Sequence, residues 1–163
     1  MSWYNNYNMM GKKHSNEEII SCGAITWRLK RGLVEILLIK QFHNKELWGI
    51  PKGHINKEES IFSCAIREVF EETGVLVELG VRLSDCLIQQ KVKQKKVVSF
   101  LAIPLSHDEP KHDGYDSEVA DAKWFNVKNL PNLVSYQQVL IKEACDLIAI
   151  HVMKLSDHIK LMK

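Results

Sequence analysis

Several classes of protein are excluded by what this 163-residue sequence lacks. It has only four cysteines, at positions 22, 64, 86 and 145, and no C-x-x-C pair, which argues against a zinc site and a disulfide framework. No apolar run approaches the roughly 20 residues of a membrane span, and the polar start of the chain lacks the apolar core of a secretory signal. A net charge of +2 is too small to indicate a nucleic-acid or acidic partner. We therefore expect a globular protein of the reducing cytoplasm whose cysteines are small core residues.

What is present fits one folded domain. Hydrophobic residues make up 45% of the chain and charged residues 26%, which are ordinary proportions for a globular protein. Residues 1–17 are polar and show no periodicity, so we predict a disordered N-terminal segment. Residues 18–163 contain no internal repeat and no linker, and we predict a single domain there.

The apolar pattern predicts strands, then a helix, further strands and a terminal helix. This order indicates an α+β fold with a mixed sheet between helices. The basic stretch from Lys91 to Lys96 is interpreted as an exposed hairpin turn. The strands are predicted at Ile19 to Lys30, Val34 to Gln41, Val75 to Val81, Asp85 to Gln90, Val97 to Pro104 and Ala120 to Val127, and the helices at Lys57 to Thr73 and Ser135 to Leu155.

The middle helix carries the clearest periodicity. Asn56, with Glu59 three residues later, predicts its N-cap, and Gly74 predicts its C-terminal end. A stripe at helical spacing is expected to face the core, and it consists of Phe62, Ala65, Ile66, Val69, Phe70 and Thr73.

A second face of the same helix is acidic. Glu68, Glu71 and Glu72 are spaced i, i+3, i+4, so they lie within an arc of roughly 100° and repel one another. A solvated acidic surface is one interpretation. A divalent cation among the carboxylates is the other, and oxygen ligands without His or Cys favour Mg²⁺ or Mn²⁺ over zinc. Such ions commonly bind substrate phosphates as well, which indicates phosphate chemistry.

The residues around the acidic face resemble a known family motif. The stretch Gly53-x5-Glu59-x7-Arg67-Glu68-Val69-x-Glu71-Glu72-x-Gly74-Val75 matches the Nudix box G-x5-E-x7-R-E-U-x-E-E-x-G-U at every fixed position, with apolar residues at both U sites. The flanking stretches Trp48 to His54 and Glu118 to Phe125 also look like Nudix segments. The chain therefore resembles the Nudix hydrolases from about residue 19 to 150.

The resemblance implies both a fold and a reaction. The fold would be an α/β/α sandwich with a mixed sheet, and the reaction hydrolysis of a nucleoside diphosphate linked to another moiety. Glu68, Glu71, Glu72 and the carbonyl of Gly53 would hold the metal, and Arg67 would orient the glutamates. The resemblance leaves two candidates for the general base, which are Glu68 and Glu118.

The substrate is predicted less directly. Residues 51–54, Pro-Lys-Gly-His, resemble the loop of asymmetrically cleaving diadenosine tetraphosphate hydrolases, a sequence that other Nudix branches share. Lys52 and Lys40 are candidates for the phosphate chain, and Tyr115 for stacking on a base. His43 and His54 are candidates for further contacts, whereas Trp124 and Phe125 are expected to pack in the core.

Other functions remain open from the sequence. Within the enzyme class, the alternatives are removal of oxidised nucleoside triphosphates and removal of pyrophosphate from RNA 5′ ends. Outside it, the alternative is a non-catalytic Nudix domain that binds a ligand or RNA, although such domains usually have eroded box glutamates. The expected partner is a small nucleotide rather than nucleic acid or a membrane, and the protein is expected to be a monomer or a homodimer.

Overall fold

The computed structural model describes residues 18–44, 46–89, 93–111 and 118–161. Within this part of the chain, no helix is both long and apolar enough to cross a membrane. A short 3₁₀ helix, Ser135–Gln137, leads into the terminal helix. The elements are β1 Ile19–Lys30, β2 Leu33–Gln41, β3 Trp48–Gly49, β4 Lys52–His54, α1 Ile61–Thr73, β5 Val77–Arg82, β6 Cys86–Gln89, β7 Gln94–Pro104, β8 Val119–Asn126 and α2 Gln138–Leu161.

The strands form a mixed sheet. Its main path runs β3-β2-β1-β7-β5, with β4 paired to β1, β6 to β7 and β8 to β2. Strands β1 and β7 are parallel, and the other pairs are antiparallel. Eight consecutive residues of β1, from Ser21 to Arg28, are buried. A strand is buried on both faces when helices cover both sides of the sheet.

Each face of the sheet contributes to its own core. Successive side chains of a strand point to opposite faces, and β1 follows this rule. Cys22 and Ala24 pack with α1 on one face, while Ile25 and Trp27 pack with α2 on the other. The α/β/α sandwich predicted from the Nudix resemblance is therefore confirmed. Cys22 and Cys64 are fully buried, as expected of small core residues.

The start of α1 differs from the prediction. The N-cap is Ser60 rather than Asn56, because the Ser60 hydroxyl accepts a 3.0 Å hydrogen bond from the Ser63 amide. Glu59 accepts a 2.9 Å hydrogen bond from the Asn56 amide, which stabilises a turn ahead of the helix instead of its first turn. The C-terminal end is confirmed, since Gly74 adopts φ +69° and its amide bonds to the carbonyl of Phe70 at 2.7 Å.

The buried face of α1 also differs from the predicted stripe. Phe62, Ile66 and Phe70 are 56%, 37% and 46% exposed. The helix is turned by roughly a quarter turn from the expected orientation, because the segment that contains β4 packs against two of the glutamates. The buried residues are Cys64, Ala65, Glu68, Val69, Glu72 and Thr73.

Strand β7 and helix α2 also extend beyond their predicted bounds. Strand β7 begins at Gln94, three residues before the predicted Val97, so part of the presumed basic turn is strand. Residues 91 and 92 of that turn lie outside the described residues. Helix α2 continues to Leu161, six residues past the predicted end at Leu155.

Candidate active site

A loop and a helix face bring the box residues together. Residues 50–53 cross above α1, where Glu68 and Glu72 are only 7% and 3% exposed. The Glu72 carboxylate accepts a 2.8 Å hydrogen bond from the Lys52 amide. A Cβ at Gly53 would overlap the Glu68 carboxylate. Glycine at position 53 therefore lets the loop backbone and this carboxylate approach closely.

Arg67 organises the carboxylates around it. Its guanidinium donates to Glu59 at 2.8 and 2.9 Å, to Glu68 at 2.6 Å and to Glu71 at 2.8 Å. It also donates to the carbonyl of His54 at 3.0 Å, which fixes the end of the loop. The hydrogen bonds from Arg67 lower the pKa of Glu59 to about 2. The same hydrogen bonds, that with Glu59 first, raise the pKa of Arg67.

The donor set fits a hard divalent cation. Glu68, Glu71 and Glu72, together with Gly53, line one cavity of about 450 Å³. Oxygen donors of this kind suit Mg²⁺ or Mn²⁺. Among the described residues, no three His, Cys, Asp or Glu side chains already converge as a formed metal site. Glu68 and Glu71 accept hydrogen bonds from Arg67, and Glu72 accepts one from the Lys52 amide.

Two lysines line the same cavity as the glutamates. Lys52 and Lys95 both line it. Burial, then the charge of Lys52, lowers the pKa of Lys95, and Glu68 opposes that shift. The pKa of His54 is lowered by burial and by both lysines. The cavity therefore combines anionic and cationic walls, an arrangement that suits a phosphate chain bound with a metal ion.

A second cavity of about 360 Å³ adjoins the first. Gln41, Lys52, Lys95 and Glu118 line both cavities, so the two share a wall. The remaining wall is a mixture of apolar and amide-bearing side chains suited to an uncharged ring. It consists of Ile39, His43, Asn44, Leu47, Gly49, Ile50, Val134, Tyr136 and Gln137. Because a pocket of this composition fits a nucleobase, we refer to it as the ring cavity and to the first as the carboxylate cavity.

The structure places most of the predicted site residues at these cavities. Arg67 and His54 lie with the glutamates, and His43 lies at the ring cavity. Lys40 does not reach either wall. Its ammonium lies 5.0 Å from the ring centroid of Trp48, because alternation along β2 turns it to the opposite face from Ile39 and Gln41. Tyr115 lies outside the described residues.

Sequence reasoning missed Lys95 and the 135–137 turn. Lys95 was assigned to an exposed turn, yet it pairs with Ile19 in the parallel β1–β7 ladder. Alternation extended backwards from Leu101 through Ser99 and Val97 reaches Lys95 and would have placed it on the covered face. Tyr136 gave no such signal, because it enters the site through a 3₁₀ turn. Trp124 and Phe125 pack against the two cores, as predicted.

Comparison with known proteins finds relatives over most of the chain. A sequence model of the NUDIX domain matches residues 20–143. The chain is 31% identical over 109 residues to mRNA decapping complex subunit 2 of Schizosaccharomyces pombe, covering 67% of this chain but 14% of that protein. It is 26% identical over 130 residues to the asymmetrical bis(5′-nucleosyl)-tetraphosphatase of Caenorhabditis elegans, covering 73% of this chain and 87% of that one.

A solved structure supports the fold. The crystal structure of a C. elegans Ap4A hydrolase binary complex superimposes with a TM-score of 0.70 at 22% identity. The match covers 80% of this chain and 98% of that one. The match thus spans only 14% of the first relative, whereas it covers 87% of the C. elegans tetraphosphatase.

Proposed function

The chain belongs to the NUDIX domain family, and from that premise we propose that it is a metal-dependent pyrophosphohydrolase acting on a nucleoside-diphosphate-linked substrate. The observation that carries the proposal is that the two cavities adjoin and share four lining residues. Carboxylates suited to a divalent cation line one, a ring-sized pocket forms the other, and Lys52 and Lys95 stand at the junction. A phosphate chain that ends in a nucleoside fits such a path.

Different side chains of the site would perform different parts of the reaction. Glu68, Glu71, Glu72 and the Gly53 carbonyl would hold the cation. When bound, a divalent cation neutralises phosphate charge and lowers the pKa of water. Arg67 keeps the glutamates clustered, and Lys52 and Lys95 neutralise the remaining phosphate oxygens. The site thus stabilises the charge that develops on the leaving phosphate.

Glu118 is the better candidate for the general base. Glu68 is buried, and its carboxylate already accepts a 2.6 Å hydrogen bond from Arg67. Glu118 is exposed and lines both cavities. A water molecule that attacks a phosphorus at the junction would be within reach of this carboxylate.

Diadenosine tetraphosphate, cut to ATP and AMP, is the substrate we propose. The C. elegans tetraphosphatase supports it, because the similarity extends over 87% of that protein rather than over a fragment. The ring cavity and the two lysines suit one adenosine and its phosphates. Similarity to the S. pombe decapping subunit favours RNA 5′ ends as the second candidate.

Product analysis on a nucleotide panel tests the proposal. Wild type is incubated with Mg²⁺ or Mn²⁺ and diadenosine tetraphosphate, oxidised nucleoside triphosphates or 5′-triphosphate RNA. The expected result is ATP and AMP at the highest kcat/KM. Pyrophosphate with a monophosphate, or RNA with a 5′-monophosphate, would move the assignment to the corresponding alternative. If nothing is hydrolysed while Mg²⁺ binds, the enzyme proposal is overturned in favour of a binding domain.

A further inference from the structure

A buried amide connects the two cavities. Gln137 is 2% exposed, and its Oε1 accepts a 2.7 Å hydrogen bond from the Ile50 amide. Its Nε2 donates a 2.9 Å hydrogen bond to the hydroxyl of Tyr136. A Cβ at Gly49 would lie 2.7 Å from the Gln137 Oε1, so a glycine is needed there for this approach. Gln137 thus binds the loop on one side and the ring cavity on the other.

The loop that Gln137 holds is the one that carries the catalytic residues. The carbonyl of Pro51 accepts a 3.3 Å hydrogen bond from Ala24 in β1, and the amide of Lys52 donates to Glu72. Upstream, the amide of Val134 bonds to the carbonyl of Trp48 at 2.9 Å. Residues 48–52 are therefore fixed at successive positions, and the side chain that accepts from the Ile50 amide is Gln137.

The chemistry of these partners fixes the direction of each hydrogen bond. A backbone amide can only donate, so the atom facing Ile50 must be the Gln137 oxygen, and the NH₂ group must face Tyr136. The Tyr136 oxygen then acts as an acceptor, and its proton turns away from Gln137. No described residue accepts that proton, and Tyr136 lines the ring cavity.

We propose that Gln137 is a positioning and specificity-determining residue, which makes the Tyr136 hydroxyl a hydrogen-bond donor to the nucleobase. The proposal rests on the proposed function, because it assigns the ring cavity to the base of the substrate. In the ring cavity, the Tyr136 hydroxyl donates to a ring nitrogen or a carbonyl oxygen of the base. Gln137 also connects the base subsite to the loop that contains Lys52 and Gly53, because one side chain holds both.

Replacement of Gln137 by glutamate reverses the polarity without changing the shape. In the Gln137→Glu variant, a carboxylate still accepts from Ile50 but cannot donate to Tyr136 at about pH 8. The Tyr136 hydroxyl then donates to the glutamate and turns its lone pairs toward the cavity, where they face the base acceptor. We expect KM for diadenosine tetraphosphate to rise about tenfold, with kcat within about twofold of wild type.

Two further variants separate this role from simple misfolding. Tyr136→Phe removes the donor and should raise KM about tenfold by itself. Adding Gln137→Glu to Tyr136→Phe should raise KM no further, since both changes remove one interaction. The matched control is Gln138→Ala, an exposed neighbour at the start of α2, which should leave kcat and KM unchanged. If the effects of the two changes on KM add fully, or if KM is unchanged in Gln137→Glu, the proposal for Gln137 is overturned. Turnover by wild type in the same experiment would still support the proposed function.

A binding measurement covers the case in which wild type hydrolyses nothing. AMP is titrated without metal and its affinity measured by calorimetry in wild type, Gln137→Glu and Gln138→Ala. We expect about tenfold weaker binding in Gln137→Glu only. Equal affinity in all three, or no AMP binding to wild type, overturns the specificity role whatever the catalytic result. Hydrogen exchange of the Ile50 amide tests the loop connection, because Gln137→Ala should remove its protection and Gln138→Ala should not.

Discussion

The two cavities of the site differ in how they are built. The carboxylate cavity takes most of its wall from a single stretch between positions 52 and 72, in which a loop folds back on the helix that follows it. The ring cavity takes its wall from β2, the β2–β3 loop, β7 and the 134–137 segment. The first is defined by local spacing, whereas the second exists only after the sheet has formed.

The difference has a consequence for the variants. Changes in the carboxylate cavity should act on the chemical step, because its groups are the ones we propose to hold the metal and to stabilise the charge that develops during the reaction. Changes in the ring cavity should act on substrate affinity, because its groups contact a part of the substrate that does not react. A variant in one cavity that changes mainly the kinetic constant assigned to the other cavity would contradict this division.

The largest effect is expected from Glu72→Gln. The carboxylate is buried, and the Lys52 amide holds it against the loop. Loss of its charge removes one of the proposed metal ligands, so kcat should fall about 10³-fold, with KM changed only slightly. Steady-state product analysis at saturating Mg²⁺ measures it. Glu78→Gln, an exposed glutamate on β5, is the control and should retain full activity. A variant that loses affinity instead of turnover would contradict the division between the cavities.

Arg67→Ala should lower both activity and stability. It leaves Glu59, Glu68 and Glu71 without their shared counter-ion, so kcat should fall about 10²-fold and the free energy of unfolding by about 2 kcal/mol. Urea unfolding beside kinetics measures the two effects. Arg82→Ala is the control, since its ion pair with Asp85 is exposed and should contribute less than about 1 kcal/mol. Equal losses in the two variants would show that Arg67 does not organise the cluster.

Lys95→Ala should act on the junction between the cavities. The ammonium faces the phosphate path, so its removal should raise KM about tenfold and lower kcat by less. Lys96→Ala is the matched control. Its side chain pairs with Asp85 at 2.9 Å and lines neither cavity, so KM should not change. A similar KM for both variants would remove Lys95 from the substrate site.

The same division explains how much the sequence could predict. The structure brings the box residues to one cavity, because helical spacing and a single turn place Gly53, Glu68 and Glu72 close together over a short distance along the chain. The fold class followed from the order of elements. The rotation of α1 was not predictable, because amphipathic periodicity favoured Phe62 and Phe70 over two glutamates whose burial depends on the loop above them.

The ring cavity could not be assembled from the sequence for a physical reason. Its walls come from residues as far apart as Ile39 and Tyr136, and contacts at that separation depend on strand register and on where α2 begins. Strand register also determines that Lys95, and not Lys40, lines the cavities. A shift of one residue reverses the face on which a side chain lies. Because β7 was predicted to start at Val97, Lys95 lay outside the predicted strand and could not be assigned to either face of the sheet.

The smallest effect concerns acid stability. Arg67 lowers the pKa of Glu59 from 4.5 to about 2, so the ionised carboxylate stabilises the folded state. That contribution is fully present above about pH 4.5 and is lost as the pH falls toward 2. In Glu59→Gln, the loss of unfolding free energy between pH 7 and about pH 3 should be about 1 kcal/mol smaller than in wild type. Urea unfolding at the two values measures it. Glu78→Gln should retain the wild-type pH dependence, and an identical dependence in Glu59→Gln would show that the Glu59–Arg67 pair adds no acid-sensitive stability to the carboxylate cavity.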